Sequence, residues 1–211
     1  MKIGILGSGN VGQTLGKALA KQGHDVMIGT RDKQKLAEWQ KDAGNHAHVG
    51  SFFEAAKFGD AIFVATLWSG TMNALELAGK EQFLGKIVID VTNPLDFSKT
   101  PPGLATTYPV SGAEMIKNYL GDVKVVKAFN TVPAHVMVNP DFNGTKADLF
   151  IAGHDRAKSF VKDIAKSLGW NSVVDMGDLG SAYWVEMLGM VSVTYGFAHN
   201  DWNFAYKFLR K

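Results

Sequence analysis

The sequence contains no cysteine. That absence excludes disulfides, thiolate nucleophiles, cysteine-ligated zinc and iron–sulfur clusters, so redox chemistry in this chain needs a bound organic cofactor. An excess of one charge is lacking too: 22 Lys and Arg face 20 Asp and Glu, and the formal net charge of +2 offers no basic field for a nucleic-acid backbone. No apolar run approaches the ~18 residues needed to cross a bilayer. The apolar start, Lys2-Ile3-Gly4-Ile5-Leu6, turns glycine-rich at Gly7, too soon for a secretory signal. A cytoplasmic protein with no membrane and no nucleic-acid partner is therefore expected. Proline is scarce, and four of the six prolines (Pro94, Pro101, Pro102, Pro109) fall between Thr92 and Val110. Such a stretch reads as a long crossover loop, which in compact domains is more often functional than idle, and a cleft wall is expected there.

Against these absences, 46% of the 211 residues are apolar, enough to bury the core of one domain with an appendage. Lys2 to Leu6 reads as a strand, Gly7 to Gly12 as a tight turn, and Val11, Leu15, Ala18 and Leu19 recur at helical spacing. Gly23 closes that helix, Asp25 to Gly29 forms a second strand, and a polar helix is expected from Asp32 to Ala43 with Leu36 and Trp39 inward. Strands at His46 to Val49, Ala61 to Ala65 and Ile87 to Val91 alternate with helices near Ser51 to Phe58 and Gly70 to Ala78. The alternation continues with a helix at Ser111 to Tyr119, strands at Lys124 to Phe129 and Asp148 to Ala152, a helix at Arg156 to Leu168 and a strand at Ser172 to Val174. The expected fold is α/β, a Rossmann doubly wound, mostly parallel sheet of about eight strands with a small C-terminal helical appendage. The boundary is expected between a dinucleotide-binding domain, 1–178, and a helical segment, 179–211, broken near Gly196. That segment is rich in Trp, Tyr, Phe and Met, which suits a core helix, a contact with a second subunit, or packing of a flat substrate ring on Tyr183, Trp184 or Met187.

Gly7-Ser8-Gly9-Asn10-Val11-Gly12 follows the first strand and opens the first helix. Each glycine has a task there: Gly7 for the turn, Gly9 for close approach of a pyrophosphate, Gly12 for packing of helix on strand. The amides of Ser8 to Val11 would meet the phosphates. At the end of the second strand, where an NAD site places a carboxylate against the ribose 2′-hydroxyl, the chain has Gly29-Thr30-Arg31-Asp32. Thr30, Arg31 and Lys35 favour the 2′-phosphate of NADP through charge-assisted contact, and Asp32 is more economically read as a helix cap. Thr66-Leu67-Trp68, Asn93-Pro94 and Asn130 with Pro133 each follow a strand, at the sheet edge where ligands of open α/β folds bind. They are read as a set that flanks the nicotinamide, with strand-end turn chemistry as the plain alternative for each.

The six histidines support neither a metal site nor acid–base work: His46 and His48 share a strand face without a third ligand, and His135 alone adjoins a presumed cleft loop. There is no Gly-x-Ser-x-Gly elbow and no Gly-Lys-Thr/Ser phosphate loop, which removes the hydrolase and nucleotide triphosphatase classes.

Gly7 to Gly12, Gly29-Thr30-Arg31, Thr92-Asn93-Pro94-Leu95 and Val125 to Thr131 together resemble the NADP-dependent oxidoreductase family of coenzyme F420, a deazaflavin. The resemblance spans nearly the whole chain. It includes Asp175, Gly177, Leu179, Val185, Glu186 and Leu188, and extends to the NADPH-binding domain of membrane ferric reductases. It implies direct hydride transfer between NADP(H) and a flat partner, coenzyme F420 or a flavin, and a homodimer. It places Ser8, Gly9, Asn10 and Val11 on the pyrophosphate and Thr30, Arg31 and Lys35 on the 2′-phosphate, with Ala134 and Met187 near the nicotinamide and substrate cleft. The family pattern has a histidine where this chain has Asn130 and a proline where it has Asp178, so the dinucleotide half matches better than the substrate half.

The expectation is an NADPH-dependent oxidoreductase acting on a small-molecule redox acceptor, with no side chain needed as catalyst because ring-to-ring hydride transfer depends on proximity. Two alternatives stand beside it: an NADPH-dependent imine or keto reductase, and a non-catalytic NADPH-binding sensor.

Overall fold

In the computed structural model, residues 1–98, 100–209 and 211 are described. The elements run β1 (Lys2–Leu6), α1 (Asn10–Lys21), β2 (Asp25–Gly29), α2 (Ala37–Ala43), β3 (Ala47–Gly50), α3 (Phe52–Phe58), β4 (Ala61–Val64), α4 (Trp68–Ala78) and β5 (Ile87–Asp90). Then follow β6 (Leu95–Asp96), β7 (Gly103–Leu104), α5 (Gly112–Leu120), β8 (Lys124–Lys127), α6 (Ala134–Val138), β9 (Asp141–Phe142) and β10 (Thr145–Lys146). The chain ends with β11 (Asp148–Gly153), α7 (Asp155–Ser167), β12 (Ser172–Asp175) and α8 (Ala182–His199). Eight strands form one sheet in the order β12-β11-β8-β5-β4-β1-β2-β3. Every neighbouring pair is parallel except β11 with β8. The Rossmann expectation therefore holds, including the strand count.

Strand alternation distributes the core over both faces of the sheet. Ile3 and Ile5 pack with Leu15 and Leu19 of α1 and Val161 of α7, whereas Leu6 and Val64 pack with Ala55 of α3, Leu75 of α4 and Ile116 of α5. Each fully buried aliphatic side chain of this kind contributes about 1.5–3 kcal/mol. Two helices on the second face begin with reciprocal caps, Ser51 with Glu54 and Ser111 with Glu114. Because β1 pairs β2 on one side and β4 on the other, the sheet changes direction of winding between β1 and β4, and a crevice opens beyond their carboxyl ends. No helix among the described residues is long and apolar enough to cross a membrane.

Three local expectations need correction. The strand expected to reach Phe129 stops at Lys127, because Phe129 takes a left-handed backbone (φ 65°) that turns the chain into the cleft loop. Its buried ring lies between Phe63 and Trp170, each at 6.4 Å, and this packing holds a conformation that costs on the order of 1–3 kcal/mol. The Thr92 to Val110 segment is not wholly irregular, since β6 and β7 pair as a short antiparallel hairpin. Finally, α8 is not broken near Gly196 but runs on to His199, and the chain reverses at Asn200 (φ 48°). Gly196 instead provides a seat for Trp202, whose ring would lie 2.6 Å from a Cβ at that position.

Candidate functional site

Two grooves meet at the switch point. The first, about 530 Å³, is bounded by the glycine turn, by Thr30, Arg31 and Lys35 at the end of β2, and by Ser69 and Asn73 of α4. The second, about 370 Å³, extends from the loops that follow β5 and β8 to α8. Asn10, Val11, Ala65, Thr66 and Leu67 line both, so the grooves form one continuous cleft across the carboxyl ends of β1 and β4.

The glycine turn has the geometry that its sequence implies. Gly7 adopts φ 125°, and a Cβ there would lie 2.4 Å from Ala65 O, so only glycine lets the β1 and β4 ends approach this closely. A Cβ at Gly12 would lie 2.0 Å from Gly7 O, which fixes α1 against the turn, whereas a Cβ at Gly9 would meet nothing within 4 Å. The open side at Gly9 faces the groove it lines. Helix α1 has no side-chain cap and no acidic residue in its first turn, leaving its N-terminal amides and partial positive charge for an anion.

At the end of β2, Thr30 Oγ1 donates to Ser8 Oγ at 3.0 Å and accepts from the Asp32 N–H at 3.2 Å, which ties this corner to the glycine turn. Asp32 Oδ1 accepts from the Gln34 N–H at 3.0 Å and so occupies itself with the following helical turn, as its sequence position suggests. Lys33 is neutralised by Glu54 at 2.7 Å, and the hydrogen bond from Lys33, followed by that from the Ser51 backbone, holds the Glu54 carboxyl down at about 2. Arg31 and Lys35 have no ion-pair partner among the described residues and line the groove as uncompensated cations.

The second groove is built around two amides. Asn93 Nδ2 donates to Asn130 O at 2.8 Å, and Asn130 Nδ2 donates to Asn93 Oδ1 at 3.0 Å and to Val185 O at 3.1 Å. Gly189 of α8 makes the close approach possible, because a Cβ there would lie 2.5 Å from Asn93 Oδ1. Thr66, Leu67, Trp68, Pro133 and Ala134 line the same groove. Four sequence-expected residues, Pro94, Tyr183, Trp184 and Met187, are not brought into the lining. Pro94 is buried behind it, with its carbonyl accepting from Ala105 N at 2.7 Å to anchor the β6–β7 hairpin. Met187 lies outside it, and α8 instead presents Gly189, Ser192 and Val193. His135 lines the groove with Nε2 3.4 Å from Asn203 Oδ1, His46 pairs with Asp25, and no cluster of three metal-ligating side chains occurs among the described residues.

A buried charge network underlies this groove and was not apparent from the sequence. Lys127 Nζ donates to Asp90 Oδ2 and to Thr92 O, each at 2.7 Å, and lies 2.9 Å from Glu186 Oε1, with all three charged side chains fully buried. Glu186 also accepts from the Gly112 and Ala113 amides at the start of α5, at 3.0 and 3.1 Å. Burial pulls the Lys127 ammonium toward neutrality, but Asp90 and then Glu186 outweigh it, so its pKa lies above the usual lysine value. Asp90 Oδ1 accepts from the Thr92 N–H and hydroxyl, so the network fixes the turn that carries Asn93 into the cleft.

Residues 2–94 match the family described as NADP oxidoreductase, coenzyme F420-dependent. The F420-dependent NADP reductase of Methanocaldococcus jannaschii is 31% identical over 201 residues, 89% of each chain. Metalloreductase STEAP3 of Rattus norvegicus is 30% identical over 187 residues, which are 89% of this chain and 36% of that protein. Among solved structures, an Arthrobacter sp. FB24 protein provisionally assigned as an F420-dependent NADP reductase superimposes with a TM-score of 0.93 at 39% identity over 100% of both chains.

Proposed function

Because the chain belongs to the coenzyme F420-dependent NADP oxidoreductase family, and is therefore an NADP-dependent oxidoreductase, we propose that it moves a hydride between NADP(H) and a flat redox acceptor such as coenzyme F420 or a flavin. The observation that carries this reading is the joined cleft, cationic at the Arg31 end and apolar at the other, with Asn10, Val11, Ala65, Thr66 and Leu67 shared between the two grooves. The residues fit a dinucleotide. The open Cβ position at Gly9 and the uncapped α1 amides suit a pyrophosphate, while Thr30, Arg31 and Lys35 suit a 2′-phosphate.

In this reading Ser8, Gly9, Asn10 and Val11 hold the pyrophosphate. Thr66, Leu67, Asn93 and Ala134 flank the nicotinamide, and Trp68, Asn130 and Pro133 face the acceptor. NADP(H), when bound, supplies the hydride chemistry. The chain's own contribution is orientation and exclusion of water: the Asn93–Asn130 pair and the Lys127 network keep the cleft loop in one conformation, so that two rings meet at a fixed distance. No side chain is assigned as an acid or base. We assign 1–178 to dinucleotide binding and 179–211 to the acceptor wall, and place a homodimer contact on the exposed Trp184, Val191 and Tyr195 of α8.

The test is to add coenzyme F420, flavin mononucleotide or a ferric chelate to the NADPH complex and follow the near-ultraviolet absorbance of the reduced nicotinamide. Enzyme-dependent loss of that band with a ring acceptor supports the proposal. Tight NADPH binding with no oxidation by any of the three contradicts it.

A further inference from the structure

The segment after α8 is strapped along the acceptor side of the cleft. At its start the Asn203 N–H donates to Asp201 Oδ1 at 2.8 Å. At its far end the buried Asp148 receives it: Asp148 N–H donates to Tyr206 O at 2.9 Å, and the carboxylate accepts from Phe208 N at 2.7 Å and Lys207 Nζ at 2.8 Å. Tyr206 OH is held 3.0 Å from Leu188 O on α8. Between the end of α8 and the Asp148 anchor, Trp202 and Phe204 enter the cleft lining.

Trp202 is packed on one side against α8 and its own segment. Its ring lies on Gly196, packs edge-on against Phe197 at 5.6 Å and leans on Phe204 at 6.4 Å. Yet 42% of it stays exposed, and two other large apolar side chains of the same lining, Leu67 and Phe97, are 74% and 60% exposed. Three exposed apolar side chains around one cleft mark a surface that a ligand covers. The charge distribution says which kind of ligand. Arg31, Asp32 and Lys35 all belong to the dinucleotide groove, whereas among the described residues lining the acceptor groove there is no Asp, Glu, Lys or Arg, and His135 is the one titratable side chain.

We propose that Trp202 is a specificity-determining residue of the acceptor site, against which a flat, uncharged ring packs, so that the acceptor is selected by its ring and not by an anionic tail. The inference rests on reading this groove as the acceptor side of the oxidoreductase cleft. It goes beyond that reading by assigning ring recognition to one residue of the post-helical strap, where the sequence motifs place nothing.

Equilibrium dialysis of lumiflavin, a flavin ring without a charged tail, against the NADP⁺-saturated protein tests it directly, with NADPH affinity measured in parallel. Lumiflavin is expected to bind the wild type, to bind Trp202→Ala about tenfold more weakly, and to be retained by Trp202→Phe, which keeps a ring over Gly196. NADPH affinity is expected to change by no more than about twofold, because Trp202 does not line the groove that holds the pyrophosphate and 2′-phosphate, whose charge-assisted contacts dominate dinucleotide binding. Flavin mononucleotide is expected to bind within about fivefold of lumiflavin. Unchanged lumiflavin affinity in Trp202→Ala, no lumiflavin binding to the wild type, or a preference for the phosphorylated flavin beyond fivefold overturns the proposal. Turnover separates the two readings: Trp202-dependent ring binding without NADPH oxidation sinks the redox assignment and leaves the ring site, and NADPH oxidation indifferent to Trp202 does the reverse.

Discussion

Lys127 Nζ lies 2.9 Å from Glu186 Oε1, with both side chains fully buried, and this pair joins the central strand β8 to the C-terminal helix. With Asp90 it makes a cluster of one ammonium and two carboxylates, whose surplus negative charge is met by the amides that open α5. Every oxygen in it has a donor, which is the condition under which buried charge is tolerated. The cluster also holds the carbonyl of Thr92, one residue before Asn93 in the cleft.

Removing the cation leaves two buried carboxylates facing each other. Lys127→Met is therefore expected to lose about 3–5 kcal/mol of stability, whereas Glu186→Gln, which keeps an oxygen for the α5 amides, is expected to lose less. Urea unfolding of the two variants checks this. A loss under about 1 kcal/mol for Lys127→Met would mean that the cluster contributes little to the fold.

The glycine turn separates folding from binding at two positions. Gly9→Ala adds a methyl group into open space on an ordinary backbone (φ −78°) and is expected to change stability by no more than about 0.5 kcal/mol while weakening NADPH at least tenfold. Gly12→Ala forces a carbon toward Gly7 O and is expected to destabilise by about 1–3 kcal/mol or more. Thermal melts and NADPH titrations of both variants read the contrast. Full NADPH affinity in Gly9→Ala would remove the pyrophosphate from this turn.

How much of this was legible in the sequence follows from how far apart the residues lie. The dinucleotide half is local: Gly7 to Gly12 and Thr30 with Arg31 sit at the ends of adjacent strands, and turn chemistry marks both. The second groove is assembled from Leu67, Phe97, Asn130, Gly189 and Trp202, which no short pattern connects. Trp202 and Phe204 read as more of an apolar helix because composition alone does not reveal the left-handed Asn200 that ends it. Lys127 was hidden for the opposite reason. A lysine at the end of an apolar strand reads as solvent-facing until tertiary structure brings Asp90 and Glu186 beside it.

Acid is expected to act in part through Glu54, beside Asp148 and Asp175, where burial is outweighed by ion pairs that hold both carboxyls below the usual range. The folded pKa of Glu54, about 2, lies below the ordinary 4.5, so the ionised carboxylate stabilises the fold fully above 4.5, and that contribution is lost as pH falls from 4.5 toward 2. Glu54→Gln keeps a side chain that can cap Ser51 but loses the Lys33 pair, and its melting temperature is expected to fall less steeply than the wild type's between these values. Parallel slopes for the two proteins would assign the acid sensitivity elsewhere.

In the proposed function the cleft reads NADP(H) through its free cations, Arg31 and Lys35. The most direct measurement is the affinity of NADPH and NADH for the wild type and for Arg31→Ala, with Lys35→Ala beside it. Loss of a charge-assisted contact worth about 1.5–3 kcal/mol predicts that Arg31→Ala weakens NADPH by roughly 10- to 100-fold and leaves NADH nearly unchanged. Equal losses for both nucleotides, or a wild type that does not prefer NADPH, would mean that these cations do not read the 2′-phosphate.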